Sequence, residues 1–334
     1  MRAVVDGIRR VNRAPAVLAG AWLLTAAVSL PLTLALRGML IDHLGQSLAA
    51  DTAASGVNYD WMQEFADQAA GVGATFRPTI VGFAAVLDNL SAFIDAAARP
   101  IVIVGAASAY IVLWLFLAGG AIDRLARDRP TRGAGFFAAA GVFFFRFVRL
   151  GVLQGIVYAL LFRTVHPWLF GRLYERMTHE MTAERDALAV RAGLYLVFGA
   201  AVAACSLIFD YAKVRTVVED RRSMLGAIAA ALRFVRRHAT AAAGVFLIDV
   251  ALFAVVIGSY AAVAPGVGPA GWRMWAAFAV GEIYVAARLW VKLVFWASET
   301  SLFQSRLAHA GYVARPAARW PESASVEAIQ AASA

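Results

Sequence analysis

The sequence predicts an all-α membrane protein: a polytopic bundle of about six transmembrane helices, with basic amphipathic helices lying at the interface. Three observations predict it. Of 334 residues, 61% are hydrophobic and only 16% charged, against about 25% charged in an ordinary soluble domain. The mean hydropathy is +0.67. Windows 14–36 and 100–122 each run 23 residues without a charge, enough helix to cross a hydrocarbon core about 30 Å thick.

Six spans account for the chain: about 14–36, 100–122, 145–165, 190–210, 239–263 and 273–296. Arg9, Arg10 and Arg13 before the first span resemble the start of a signal peptide. A cleavable signal core is about 7–15 residues, whereas this run has 23, so it is read as a retained anchor. Pro31 near its outer end is tolerated, because a membrane helix can re-satisfy the freed backbone. The third span is the least regular. The fifth contains Asp249, and the sixth contains Glu282, Arg288 and Lys292. Residues 1–310 form one membrane domain. After Glu299 the chain is expected to continue as a short helix through Leu307, and the Ala-, Pro- and Ser-rich stretch 311–334 reads as a disordered cytoplasmic tail.

Orientation follows from the cations, which cytoplasmic loops retain. The N-terminal arm holds four, segment 123–149 six, segment 211–238 seven, and the tail Arg306, Arg315 and Arg319. Fewer fall on the opposite side: Arg37, Arg77, Arg99, Arg163, Arg172, Arg176, Arg185, Arg191 and Arg273. Both termini are therefore placed in the cytoplasm. The net charge of +9 reports topology here and not a nucleic-acid partner, because the basic residues sit in short segments between apolar spans. Arginine supplies all the basic residues but Lys213 and Lys292. With abundant Ala and Gly, this usage points to a GC-rich bacterial genome and so to a bacterial inner membrane. A lone cysteine, Cys205, excludes an internal disulfide and any cysteine-built metal site.

The chain also compares with itself. Arg146-Phe147-Val148-Arg149 recurs as Arg233-Phe234-Val235-Arg236, and at the same offset Asp123 falls on Asp210. Ile8-Arg9, Val11 and Arg13 match Leu232-Arg233, Val235 and Arg237. The inferred unit is a basic interfacial helix, a span going out, a connection and a span returning. Three copies give six spans as a three-fold helix-pair repeat. In the last copy Met224, Ile228, Ala231, Leu232 and Val235 form an apolar stripe at helical spacing. Phe136, Ala140, Phe144 and Phe147 form its equivalent in the middle copy. Such helices should lie with the stripe in the acyl boundary. Arg146, Arg149, Arg221, Arg222, Arg233, Arg236 and Arg237 would then meet anionic headgroups, at about 1 kcal/mol per basic residue. Membrane lipid is the expected partner, with a membrane protein as a second.

The first outer segment, 37–99, is long for a helix connection. Asp60, Glu64 and Asp67 share a face beside Trp61 and Phe65. Ile80, Phe83, Leu87, Leu90 and Ile94 form a second stripe, with Asp88 and Asp95 outside it. These read as helices on the outer surface or one re-entrant segment. The second outer connection carries Arg176, His179, Glu180, Glu184 and Arg185, an alternating-charge pattern that matches no metal-ligand motif. His166, Pro167 and Trp168 mark an interface. Gly151, Gly155, Gly193, Gly199 and Gly244 are expected to let helices pack closely.

Ionisable residues inside a span are functional candidates by default. Asp249 lies about ten residues, ~15 Å, from the inner end of its span, and Arg288 ~12 Å from the inner end of the next. That similar depth predicts an Asp249–Arg288 ion pair. Lys292 lies one turn inward and would snorkel to the headgroups, with Tyr284 on the face of Arg288. Glu282 points elsewhere, toward Gln154 or Tyr158 of the third span or into a watery cavity. Asp123 and Asp210 are expected to pair with arginines such as Arg149 or Arg236. No nucleotide-binding glycine motif, zinc-protease motif or hydrolase elbow is present, so no cofactor, metal or catalytic residue is assigned.

The basic run 210–222, leading through an amphipathic helix into a span, resembles an element of uncharacterised bacterial multi-pass membrane proteins. The repeated arrangement is similar to the membrane domain attached to some glycerophosphodiester phosphodiesterases. That resemblance covers the last two repeats and implies a six-helix bundle. No phosphodiesterase domain accompanies it, so that activity does not carry over. The leading functional reading is a non-enzymatic scaffold or accessory component contacting lipid or a membrane partner. The alternatives are a transporter subunit with Asp249, Glu282 and Arg288 along a path, and an intramembrane lipid-acting enzyme.

Overall fold

The computed structural model describes residues 1–307 apart from 46, 57, 78–81, 265 and 267–270. Ile80 and the expected tail at 311–334 lie outside the described residues. Helix α1 (Arg2–Asn12) leads into α2 (Pro15–Leu44), then the short α3 (Ala50–Ser55) and α4 (Tyr59–Gln68), α5 (Gly82–Ile94) and α6 (Ile101–Arg127). Helix α7 (Gly133–Leu160) runs on through π-helical turns at Leu161–Val165 and Trp168–Leu173 into α8 (Tyr174–Thr178). Helices α9 (Glu184–Val218), α10 (Met224–Arg237), α11 (Ala239–Val263) and α12 (Trp272–Arg306) follow. Among the described residues there is no strand.

Five helical stretches are long and apolar enough to cross a membrane: Pro15–Leu44, Ile101–Arg127, Gly133–Thr178, Glu184–Val218 and Ala239–Val263. The chain is thus a multi-pass integral membrane protein. Helix α12 has 35 residues, as many as α9, but Glu282, Arg288, Lys292 and Glu299 lower its apolarity.

Local chemistry sets the breaks. Pro15 opens α2 at a position where its missing N–H costs nothing. Asp128 (φ 46°) and Asp220 (φ 49°) take left-handed backbone at the ends of α6 and α9, a conformation that Asp adopts more readily than most residues. Ser223 caps α10, its hydroxyl accepting from Gly226 N at 3.2 Å. The middle copy departs from expectation. No proline interrupts 133–160, so the interfacial stretch and the span are one continuous helix from Gly133. Further along, Pro167 withholds its N–H where the ladder widens into π turns.

Helix α1 packs along α12, the first half of α7 along α6, and α10 along α9. These contacts gather the basic helix ends at one end of the bundle, with α1 and the end of α12 joined there by Arg10 and Gln304 at 2.7 Å. The buried core is concentrated at this end, in Ile122, Leu125, Phe147, Tyr211, Val214 and Phe303. Lipid tails give helices little hydrophobic reason to associate, so close backbone approach matters. A Cβ on Gly119 would stand 2.9 Å from Phe143 Cβ, and one on Gly120 2.7 Å from the Phe136 carbonyl. Of the glycines expected to serve this purpose, Gly151 does, since a Cβ there would stand 3.2 Å from Leu115 Cδ2. A Cβ on Gly155, Gly193, Gly199 or Gly244 would meet no described atom of another helix within 4 Å.

The stripe on α10 is also corrected. Met224, Ala227, Ala230, Ala231 and Phe234 are buried against protein, while Leu225 and Leu232 are exposed. The buried face is rotated from the expected one because its partner is α9. Arg215 of α9 fixes the contact, donating to the Ala230 carbonyl at 2.7 Å.

At the other end, the outer segment docks as a cap. Trp61 and Phe65 of α4 stack at 5.6 Å, and Trp61 Nε1 donates to His43 Nδ1 at 2.9 Å. Helix α5, 13 residues long, is too short to span. It meets three neighbours: Phe93 packs on Phe162, Phe83 on Tyr260, and Tyr195 donates to Asp95 at 2.6 Å. Asp88 pairs with Arg99 at 2.7 Å.

Donation from Tyr195 holds the Asp95 carboxyl below its ordinary range. A lowered folded-state value stabilises docking above the unfolded value of about 3.9 and is lost as pH falls through the folded one. Protection against hydrogen exchange across 82–99, measured relative to the intrinsic rate at each pH, should therefore fall below about pH 4 in the wild type. In Tyr195→Phe the segment should be less protected at neutral pH and its acid step should shrink. Identical acid profiles for the two proteins would remove Asp95 as the cause.

Candidate functional site

The most unusual chemistry lies where α9, α11 and α12 meet. Asp249 on α11 and Glu299 on α12 are both fully buried. Asp249 Oδ1 accepts from Ser298 Oγ at 3.4 Å, while its Oδ2 has no hydrogen-bond partner. Neither carboxylate oxygen of Glu299 has one, nor do the buried hydroxyls of Tyr211 and Thr300. Glu299 lies within electrostatic reach of Asp249, Asp210 and Lys213, and Tyr211 within reach of Glu299 and Asp249. Lys213 is already paired with Asp210 at 2.7 Å. Among the described residues, neither of these two neighbouring buried acids forms a salt bridge, Lys213 being paired with Asp210. Ionised side chains in such a setting cost several kcal/mol each, a cost that a proton or a bound cation would offset. Among the described residues no three His, Cys, Asp or Glu side chains form a metal-holding group, so the available set is two carboxylates with hydroxyls.

A file of charges leads to this centre along α12. At 100° per residue, Arg288, Lys292 and Glu299 fall within about 40° of one another on the helix surface. Lys292 lies within electrostatic reach of Arg288, Lys213 and Asp210. Its ammonium sits 3.6 Å from the Trp114 ring centre, with Tyr110 and Trp296 at 5.5 and 5.7 Å. This aromatic cage substitutes cation–π attraction for hydration. The expectation that Lys292 snorkels to the headgroups is therefore corrected.

Beyond Lys292 the file opens into a cleft of about 670 Å³ between α5, α11 and α12, lined by Asn89, Tyr260, Glu282, Tyr284 and Arg288 among others. Tyr260 and Tyr284 stack at 4.0 Å with 11° between their planes. The Arg288 guanidinium lies 5.5 Å from the Tyr284 ring centre.

Several expected pairings are replaced. Asp249 meets Ser298 and not Arg288, because α12 continues to Arg306. That extension places Arg288 ten residues, about 15 Å, from the level of Asp249. Glu282 accepts from Trp22 Nε1 of α2 at 2.8 Å, whereas Tyr158 bonds Ser206 at 2.7 Å with Gln154 3.4 Å away. Asp123 pairs with Arg127, one turn away on its own helix, at 2.7 Å, and Asp210 with Lys213.

The arginines expected at headgroups divide. Arg146 pairs with Asp220, Arg221 with Glu219, and Arg149 donates to the Phe145 carbonyl of its own helix. Arg222, Arg233, Arg236 and Arg237 are exposed on α10 or beside it.

Sequence reasoning missed Ser298 and Glu299 by ending the last span at 296, and Tyr211 and Lys213 by ending the fourth at 210. The signal was the polar stretch Ser298-Glu299-Thr300-Ser301 between the apolar residues 293–297 and Leu302-Phe303. No family model, curated protein or solved structure matches this chain.

Proposed function

We propose that this protein is a six-span transporter or permease subunit of the bacterial inner membrane, coupled to a proton or a monovalent cation, with both termini cytoplasmic. In this reading α12 is the sixth span. Asp249 and Glu299 hold the coupling ion, and the cleft at Glu282 and Arg288 admits the transported solute. The observation that carries it is the burial of both carboxylates, three of whose four oxygens have no hydrogen-bond partner among the described residues. A scaffold gains nothing from that cost, whereas an ion-coupled carrier needs groups that are neutral only when loaded. The pairing of α1 with α12, α7 with α6 and α10 with α9 supports a repeat of three helix pairs closing on itself around α12. The arginine-rich end supports the cytoplasmic assignment.

Infrared difference spectra of the purified protein, titrated with base or with NaCl against choline chloride, test the reading. A protonated-carboxyl band should respond to at least one titrant, and should vanish in the Asp249→Asn/Glu299→Gln double variant. A wild-type spectrum indifferent to both would return these groups to a purely structural role.

A further inference from the structure

A second feature lies at the basic end, beside Leu293 of α12. Between α2, α6 and α7 runs an apolar groove of about 350 Å³, walled by Gly20, Ala21, Leu24, Trp114, Leu117 and Phe137. Its mouth is lined by Arg13 and Arg124. Arg124 is 5% exposed; its Nη2 donates to the Arg13 carbonyl at 3.0 Å, while its buried Nη1 has no partner among the described residues. Asp128 pairs with Arg13 at 3.2 Å and keeps its other oxygen buried and unpartnered. The trio of Arg13, Arg124 and Asp128 carries one net positive charge, matching a single phosphodiester anion.

We infer that this groove is a binding site for one anionic phospholipid, its phosphate on Arg124 and Arg13 and an acyl chain lying between α2 and α6. Three points favour that occupant. The walls are apolar and belong to membrane-crossing helices, so the groove is reached from lipid. Helix α2 is the least buried of those helices, and a void along its contact with α6 forfeits dispersion contacts that a chain would restore. A guanidinium donor buried without an acceptor is costly, and a phosphate oxygen supplies the charge-assisted bond it lacks. The arginines on α10 offer no comparable enclosure, being exposed.

Delipidated full-length protein, titrated in mixed micelles with phosphatidylglycerol or phosphatidylcholine, tests this through the thermal midpoint. Phosphatidylglycerol should raise the midpoint and phosphatidylcholine should not. Arg124→Gln should weaken the effect about tenfold or more, the usual loss for a hydrogen bond to a charged group. Gly20→Trp keeps the charge and fills the groove. No atom lies within 4 Å of a Cβ at Gly20, so this variant should fold and still lose the response. Three results would each overturn the site: equal responses to the two lipids, a full response in Gly20→Trp, or inorganic phosphate alone reproducing the shift. A photoreactive residue at position 20 should crosslink to phospholipid, and adducts only to residues 308–334 would also overturn it.

Discussion

Arg10→Ala is expected to release α1 from the bundle. The Arg10 side chain is 10% exposed and ties three elements together. Its Nε bonds Asp6 at 2.8 Å, and its Nη1 reaches the Leu125 carbonyl at 3.0 Å and Gln304 Oε1 at 2.7 Å. Gln304 in turn donates to the Ala126 carbonyl at 2.9 Å, and Ser301 to Asp6 at 2.7 Å. Removing the guanidinium strands a buried carbonyl and a buried amide oxygen at once, a loss of about 3–5 kcal/mol. Arg10→Lys keeps charge without the fork and should fall between.

Gly7→Val attacks the same interface without touching charge. A Cβ there would stand 2.7 Å from Ser298 N and 2.9 Å from its Cα, backbone atoms that cannot rotate away. Overpacking of this kind costs about 1–3 kcal/mol or more. Both variants should lower the thermal midpoint in detergent and raise hydrogen exchange across Arg2–Asn12. Because either one detaches the same helix, the double variant should lose little beyond the worse single. Full additivity, or unchanged exchange in Arg2–Asn12, would show that α1 is not held by this contact.

The sequence made the membrane class, the reversals and the basic end legible, because long apolar runs and arginine clusters are local signals that one lipid constraint enforces. Partners were less legible, and for identifiable reasons. The Asp249–Arg288 pairing rested on depth counted from an assumed helix end. Moving that end from 296 to Arg306 slid every partner on α12 by about three turns. The stripe on α10 was assigned to lipid because amphipathicity says which residues are apolar and not what covers them. Arg10 sat among arginines that all resembled topology markers, and only the three-dimensional meeting of α1, α6 and α12 singles it out. The inferred repeat put Asp123 and Asp210 in register, and both pair with a cation on their own helix. It did not reach Glu299, whose counterpart positions bear no recurring motif.

Glu299→Leu separates stability from function most sharply. The carboxylate is fully buried, neither oxygen has a partner, and the negative Asp249 and Asp210 lie within electrostatic reach. Replacing a buried charge of this kind with an apolar side chain of similar volume commonly stabilises a protein by about 1–4 kcal/mol. The expected result is therefore a variant with a higher midpoint in detergent that has lost its infrared and ion responses. Glu299→Gln should be intermediate, since the amide removes the charge and keeps polar atoms that still need partners. If instead Glu299→Leu destabilises by several kcal/mol, the carboxylate holds the α9–α12 contact together in the resting protein. An ion-coupling role would then fall to Asp249 alone. Gain of stability with loss of response is the pattern of a residue kept for what it binds.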